Sequence, residues 1–143
     1  MSTRQNISSG TPWESRYGYS RAVRVGNVIE VAGTVAADEN GDVVGVGSAY
    51  EQTKFIFAKI EKALAEAGAS LEDVVRTRMF LTDISLIDHV GLAHGEVFHD
   101  IRPASTALQI SALINPEMLV EIEVTAILQT AGRRNDENFA GNH

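Results

Sequence analysis

From Gly18 onward the chain alternates with period two. Tyr19, Arg21, Val23 and Val25 share one face of a strand, and Gly26-Asn27 supplies a tight turn. Val28–Val35 reads as a second strand, and Asp38–Asp42 is a strong turn signal because Asn40-Gly41 readily takes positive φ. A short third strand is predicted over Val43–Val46, ending in Gly45 and Gly47. The period then lengthens to 3.6. Thr53, Ile56, Ile60, Ala63, Leu64 and Ala67 form one apolar stripe, with Gly68 where a helix C′ residue belongs. A fourth strand is expected over Val74–Thr82, where Val75, Thr77, Met79 and Leu81 alternate with Val74, Arg76, Arg78 and Phe80. Ser85 reads as the N-cap of a second helix with Asp88 three residues on, and Ile87, Val90, His94, Val97, Phe98 and Ile101 make its stripe. Pro103 stops it, and Thr106–Leu113 and Leu119–Leu128 are two more strands around an Asn115-Pro116 turn.

The predicted order is β-β-β-α-β-α-β-β in a single domain over residues 1–131. Met1–Trp13 reads as a loosely held lead-in and residues 132–143 as a polar tail. This is an α+β pattern: a mixed six-stranded sheet with two helices on one face. The other face carries Val23, Val25, Phe80, Leu108 and Ile110, too many apolar residues for solvent alone, so self-association is expected.

Composition narrows the function classes. The chain has 143 residues, 44% hydrophobic and 22% charged, which suits one folded domain. It has no cysteine, which removes disulfides, thiolate nucleophiles and Cys-based metal sites. No apolar run approaches the ~18 residues of a membrane helix, and Met1–Gly10 has no apolar signal core, so a cytoplasmic address is expected. Twelve Lys+Arg against 19 Asp+Glu leave a net charge of −7, which counts against nucleic acid as a partner.

Several constellations bear on chemistry. His94 and His99 are five apart on the second helix, about 140° around it, and so cannot share an ion. His94 reads instead as a hydrogen-bonded histidine of the apolar stripe, and no metal is expected. Gly45-Val46-Gly47-Ser48-Ala49-Tyr50 misses the dinucleotide fingerprint at its third glycine and reads as a turn. Glu121 and Glu123 share a strand face in apolar company. They form either an acid/base pair with one raised pKa or the solvated face of an edge strand. Arg76 and Arg78, on the Phe80 face, suit either a small carboxylate ligand or salt bridges to those glutamates.

Together several segments resemble the Rid (YjgF-like) reactive-intermediate deaminases. They are Gly18-Tyr19-Ser20-Arg21 with Val25–Gly33, Gln52-Thr53, Ala67–Val75, Phe80-Leu81-Thr82-Asp83, Arg102-Pro103-Ala104-Ser105-Thr106 and Val120-Glu121-Ile122-Glu123. The likeness spans Gly18 to Leu128, and its weight lies in the order and spacing of the pieces. It implies a chorismate-mutase-like fold, a homotrimer with small-molecule clefts between subunits, and no cofactor. The implied chemistry is hydrolysis of enamines or imines such as 2-aminoacrylate to a 2-keto acid and ammonia.

Carried over by position, the resemblance makes Tyr19, Gly33 and Phe80 cleft residues and Glu121 the water-handling acid. One departure matters. The active pattern reads Pro-Ala-Arg-Ser, whereas this chain has Pro103-Ala104-Ser105-Thr106, so the carboxylate-gripping arginine is missing. Arg102 either reaches the same cleft or caps helix carbonyls. Three functions remain open: a deaminase-like hydrolase with poor activity on 2-aminoacrylate, a non-catalytic small-molecule sensor, or an endoribonuclease or translation inhibitor. Against the last stand the −7 charge and the lack of a His–His or His–Lys cleavage pair.

Overall fold

The computed structural model describes residues 4–129. The predicted tail at 132–143 lies outside them. One mixed six-stranded sheet runs in the order β1-β2-β3-β6-β4-β5, with every neighbouring pair antiparallel except β4–β5. The strands are β1 (Arg4–Ile7), β2 (Ala22–Val25), β3 (Val28–Val35), β4 (Val74–Leu81), β5 (Ala104–Gln109) and β6 (Val120–Ile127). The helices are α1 (Pro12–Tyr17), α2 (Ala49–Glu66) and α3 (Ile87–Phe98).

The α2 and α3 stripes pack on one sheet face. Ile56, Phe57, Ile60 and Leu64 from α2 meet Val90 and Phe98 from α3 over Ile29, Val31, Leu81, Val120, Ile122 and Val124. Ser48 caps α2 by accepting from the Glu51 N–H at 3.1 Å. Beyond its far end Gly68 turns left-handed at φ 85°, and Arg24 Nη1 donates to the Ala67 carbonyl at 2.7 Å.

Several sequence expectations are corrected. The sixth strand is Arg4–Ile7, inside the lead-in, and Val43–Val46 is not a strand: it makes one isolated bridge, Ala37 to Val43. Left-handed glycines at 45 and 47 turn that segment away, whereas β1 is an edge strand whose single buried residue, Ile7, leaves almost no hydrophobic signal. α1 also begins inside the lead-in, at Pro12. A register shift on β4 between Val74 and Arg76 turns Val74 into the core and Val75 outward, reversing the expected alternation there. Asp83, not Ser85, opens the second helical segment: its carboxylate accepts from the Ser85 N–H at 2.9 Å over a 3-10 turn, Ile84–Leu86, and α3 starts at Ile87. β5 stops at Gln109, short of Leu113.

The start of the chain is tied down by Glu14. Its buried carboxylate accepts from the Ser8 hydroxyl at 3.1 Å, the Thr11 hydroxyl at 3.2 Å, the Ser9 N–H at 3.1 Å and the Ser9 hydroxyl. Burial pushes this carboxyl up, but the hydrogen bonds outweigh it and hold the pKa below its ordinary 4.5. A lowered carboxylate pKa contributes stability above the unfolded value and loses it as pH falls through the folded one. Glu14→Gln should therefore cost stability at neutral pH, and its difference from the natural protein should close as pH drops below 4.5. Melting curves across that range check this; a pH-independent difference would mean that packing, not charge, holds the segment.

Candidate functional site

Among the described residues, the sheet face away from α2 and α3 is largely uncovered. Val25 is 48% exposed, Val28 43%, Leu108 42% and Ile127 38%. Polar groups gather in the middle of this face because β3, β6, β4 and β5 lie side by side. In register, Val35 faces Glu121, Glu121 faces Phe80, and Phe80 faces Leu108; one step along, Glu123 faces Arg78 and Arg78 faces Thr106.

Glu121 is the most perturbed group here. Burial pushes its carboxyl above the usual range; the Arg21 charge opposes this and the Glu123 charge adds to it. Gly33 makes the position available. A Cβ at Gly33 would land on Glu121 Oε2, so only glycine lets the carboxylate lie across β3. The β3–β6 register shifts between Val31 and Thr34, around Gly33, and Arg21 Nη2 donates to the Gly33 carbonyl at 2.6 Å. Among the described residues Arg21 Nε and Arg76 Nε are buried without a hydrogen-bond partner.

Glu123 behaves differently. It pairs with Arg78 at 3.7 Å with both side chains about two-fifths exposed (39% and 41%), a weak surface ion pair. Arg76 Nη2 donates to the Thr106 hydroxyl at 2.9 Å. Of the two readings of these cations, the salt bridge holds for Arg78. Tyr19, Arg78 and Glu123 line one open cleft of about 690 Å³ together with Glu30 and Val23.

The predicted site residues thus divide. Gly33, Glu121 and Phe80 come together at the centre of the uncovered face, and Tyr19 opens onto the adjoining cleft. Ser105 does not join them within one chain. It faces Thr77 across the parallel β4–β5 ladder, and Thr77 is a core-facing position, so Ser105 lies on the helix side of the sheet edge. Arg102 is held away. It has a left-handed backbone at φ 57°, and its Nε donates to the His99 carbonyl at 3.0 Å beyond the end of α3. Helix-end capping is the role this geometry gives it.

Two residues near the predicted site carry weight that sequence reading missed. Arg21 was only one member of an alternating strand, yet it holds the Gly33 carbonyl and acts on Glu121. Thr77 was an ordinary alternating residue, yet it links His94 to Ser105. The available signal was a hydroxyl among the core-facing positions Met79 and Leu81, since a buried hydroxyl demands partners.

Comparison with known proteins identifies the family. Residues 11–128 match the family described as endoribonuclease L-PSP. An uncharacterized protein of Streptomyces coelicolor, SCO2049, is 42% identical over 123 residues, 85% of this chain and 90% of that one. The 3-aminoacrylate deaminase RutC of Acinetobacter baylyi is 36% identical over 108 residues, 76% of this chain and 85% of that one. Among solved structures, Rv2704 of Mycobacterium tuberculosis, a member of the YjgF/YER057c/UK114 family, has a TM-score of 0.79 at 44% identity, covering 87% of this chain and 99% of that one. A sheet-and-two-helix layer with its far face bare, matched along most of its length by these relatives, places the chain in the Rid (YjgF-like) family, which carries the endoribonuclease L-PSP description.

Proposed function

We propose that the protein is a homotrimeric, cofactor-free Rid protein whose clefts between subunits take a small metabolite and hydrolyse its imine or enamine form slowly. The observation that carries this reading is Glu121, a half-buried carboxylate with a raised pKa, seated on Gly33 at the centre of an uncovered sheet face. Such a group can take a proton from water and return it. An enamine acid first tautomerises to its imine; water then adds to the C=N carbon, and collapse of that adduct releases ammonia and leaves a ketone. Glu121 would receive the proton of the attacking water and pass it to the departing nitrogen. The relative named 3-aminoacrylate deaminase supports the substrate class, a short acid carrying an enamine.

The ligand's carboxylate sets the limit on rate. Ser105 offers one neutral hydrogen bond where an arginine would offer a charged fork. That same observation favours the second reading, a ligand-binding sensor that keeps the cleft without fast turnover. An RNA-cleaving role, despite the family's description, is opposed by the −7 net charge.

Assembly is the direct test. Each helix pair covers one face, and a second copy is the natural cover for Val25, Val28, Leu108 and Ile127. Light scattering at micromolar concentration should give three times the 15.4 kDa chain mass. Ammonia release from freshly generated 2-aminoacrylate should be detectable but slow. A monomer mass across a dilution series removes the shared cleft; a trimer with no ammonia release leaves the sensor.

A further inference from the structure

Thr77 on β4 stands at the centre of a hydrogen-bond chain that the hydrolysis described above does not use. Its Oγ1 lies 2.9 Å from His94 Nε2 on α3 and 2.8 Å from Ser105 Oγ on β5. Thr77 is fully buried, while Ser105 is exposed at the sheet edge. His94 is half-buried between rings, 5.7 Å from the Phe57 centroid and 4.9 Å from that of Phe98. An ionisable ring inside the helix–sheet layer is thereby wired to a surface hydroxyl at the position where the active family pattern has its arginine.

Each hydroxyl has a single hydrogen, so the chain has two arrangements. When His94 Nε2 accepts, Thr77 donates to it and Ser105 donates to Thr77, leaving Ser105 only lone pairs for a ligand. When Nε2 carries a hydrogen, Thr77 accepts from His94 and donates to Ser105, and the Ser105 hydrogen is free to point outward. An imidazolium removes the first arrangement, and the second is the one in which the Thr77 hydrogen also finds a partner, the Ser105 oxygen.

We propose that His94 and Thr77 are positioning residues that turn Ser105 into a hydrogen-bond donor for the ligand's carboxylate, so that protonation of His94 and binding of that carboxylate reinforce each other. This rests on the reading of Ser105 as part of the shared cleft. Burial holds the His94 pKa below its ordinary 6.5. No charged group contributes to that shift; the elements packed on the ring present Phe57 from α2, Phe98 from α3 and Thr77 from β4. In the free protein at neutral pH the ring is therefore neutral and both arrangements are open. A bound carboxylate selects the donor arrangement and makes His94 easier to protonate; by reciprocity, acidification tightens binding.

The test is a pH titration of the His94 ring by NMR in the full-length protein, with and without pyruvate as the 2-keto-acid probe. Pyruvate should raise the His94 pKa, and its affinity should increase as pH falls through that value. Thr77→Val should remove both effects while His94 still titrates, and Thr77→Ser should restore them. Ser105→Ala leaves the buried pair intact and must also abolish the linkage, which covers the case in which Thr77→Val folds poorly. A purely structural Thr77 would change the melting temperature and leave the linkage alone. Pyruvate that perturbs Tyr19 and Glu121 but not His94, or a His94 shift that survives Ser105→Ala, overturns the relay. Pyruvate that moves His94 and not Glu121 overturns the shared cleft, and pyruvate that moves neither overturns both.

Discussion

Ser105→Arg should raise kcat/KM on 2-aminoacrylate by about 100-fold. The basis is the value of a desolvated, hydrogen-bonded charge pair, ~2–5 kcal/mol, with each ~1.4 kcal/mol worth tenfold. Ser105 is exposed on the edge strand β5, so a longer side chain there has open space beyond the sheet edge. Its present partner, the Thr77 hydroxyl, keeps His94 as a second contact. The gain requires Glu121. Adding Glu121→Gln to the arginine variant should remove it, because general acid–base assistance contributes roughly 10²–10⁴-fold and an amide cannot take up the proton. Initial-rate measurements on the natural chain, the single variant and the double variant check this. Fast turnover by the natural protein that is lost on Arg102→Ala would transfer the anchor to Arg102, against its position on the His99 carbonyl. A folded trimer that gains nothing from the arginine would point to the sensor.

Gln52→Leu should be among the most destabilising single changes to the fold. Gln52 is fully buried on α2, and its amide serves three backbone groups. Nε2 donates to the Gly45 carbonyl at 3.2 Å and the Glu117 carbonyl at 2.9 Å, while Oε1 accepts from the Leu119 N–H at 2.9 Å. Leucine fills the space and leaves these groups unpaired in the interior. At ~1–3 kcal/mol for each orphaned group, with relaxation recovering part, the loss should be about 3 kcal/mol. For a domain of this size that is a Tm drop of roughly 10 °C. Circular dichroism melts read it directly. A drop of a degree or two would mean that water reaches the Gly45 and Glu117 loops. The effect extends toward the candidate site, since the Leu119 bond lies beside the start of β6 at Val120, one residue before Glu121.

How much was legible depends on the kind of signal. The α2 stripe, the strands around Val28–Val35 and Leu119–Leu128, and the bare face all follow from periodicity, which is a property of one segment read alone. β1 was missed because an edge strand with one buried residue has no period to detect. Val43–Val46 was overread because β-branched residues suggest a strand, and the positive-φ glycines among them outweigh that preference. Family resemblance names Gly33 and Glu121 separately as site residues, and the structure supplies the contact between them. The Thr77–His94–Ser105 chain joins residues 17 and 28 positions apart across three elements. No local pattern encodes such a junction.

The contact of Gly33 with Glu121 also restricts which sequences can share this fold and chemistry. The two positions lie on neighbouring strands, and the space of one side chain is split between them, with Gly33 taking none. An alanine at 33 displaces the carboxylate of a glutamate at 121 and leaves the backbone undisturbed, because the atom in the way is the far end of a flexible chain. Such a change would be almost silent in stability and costly in activity. A shortened acid, aspartate, would relieve the clash but withdraw the carboxylate from its seat by one methylene. Under the proposed hydrolysis, a change at either position alone should therefore lower activity. A chain that keeps glutamate at 121 in this seat needs glycine at 33, and one without the acid is released from that requirement.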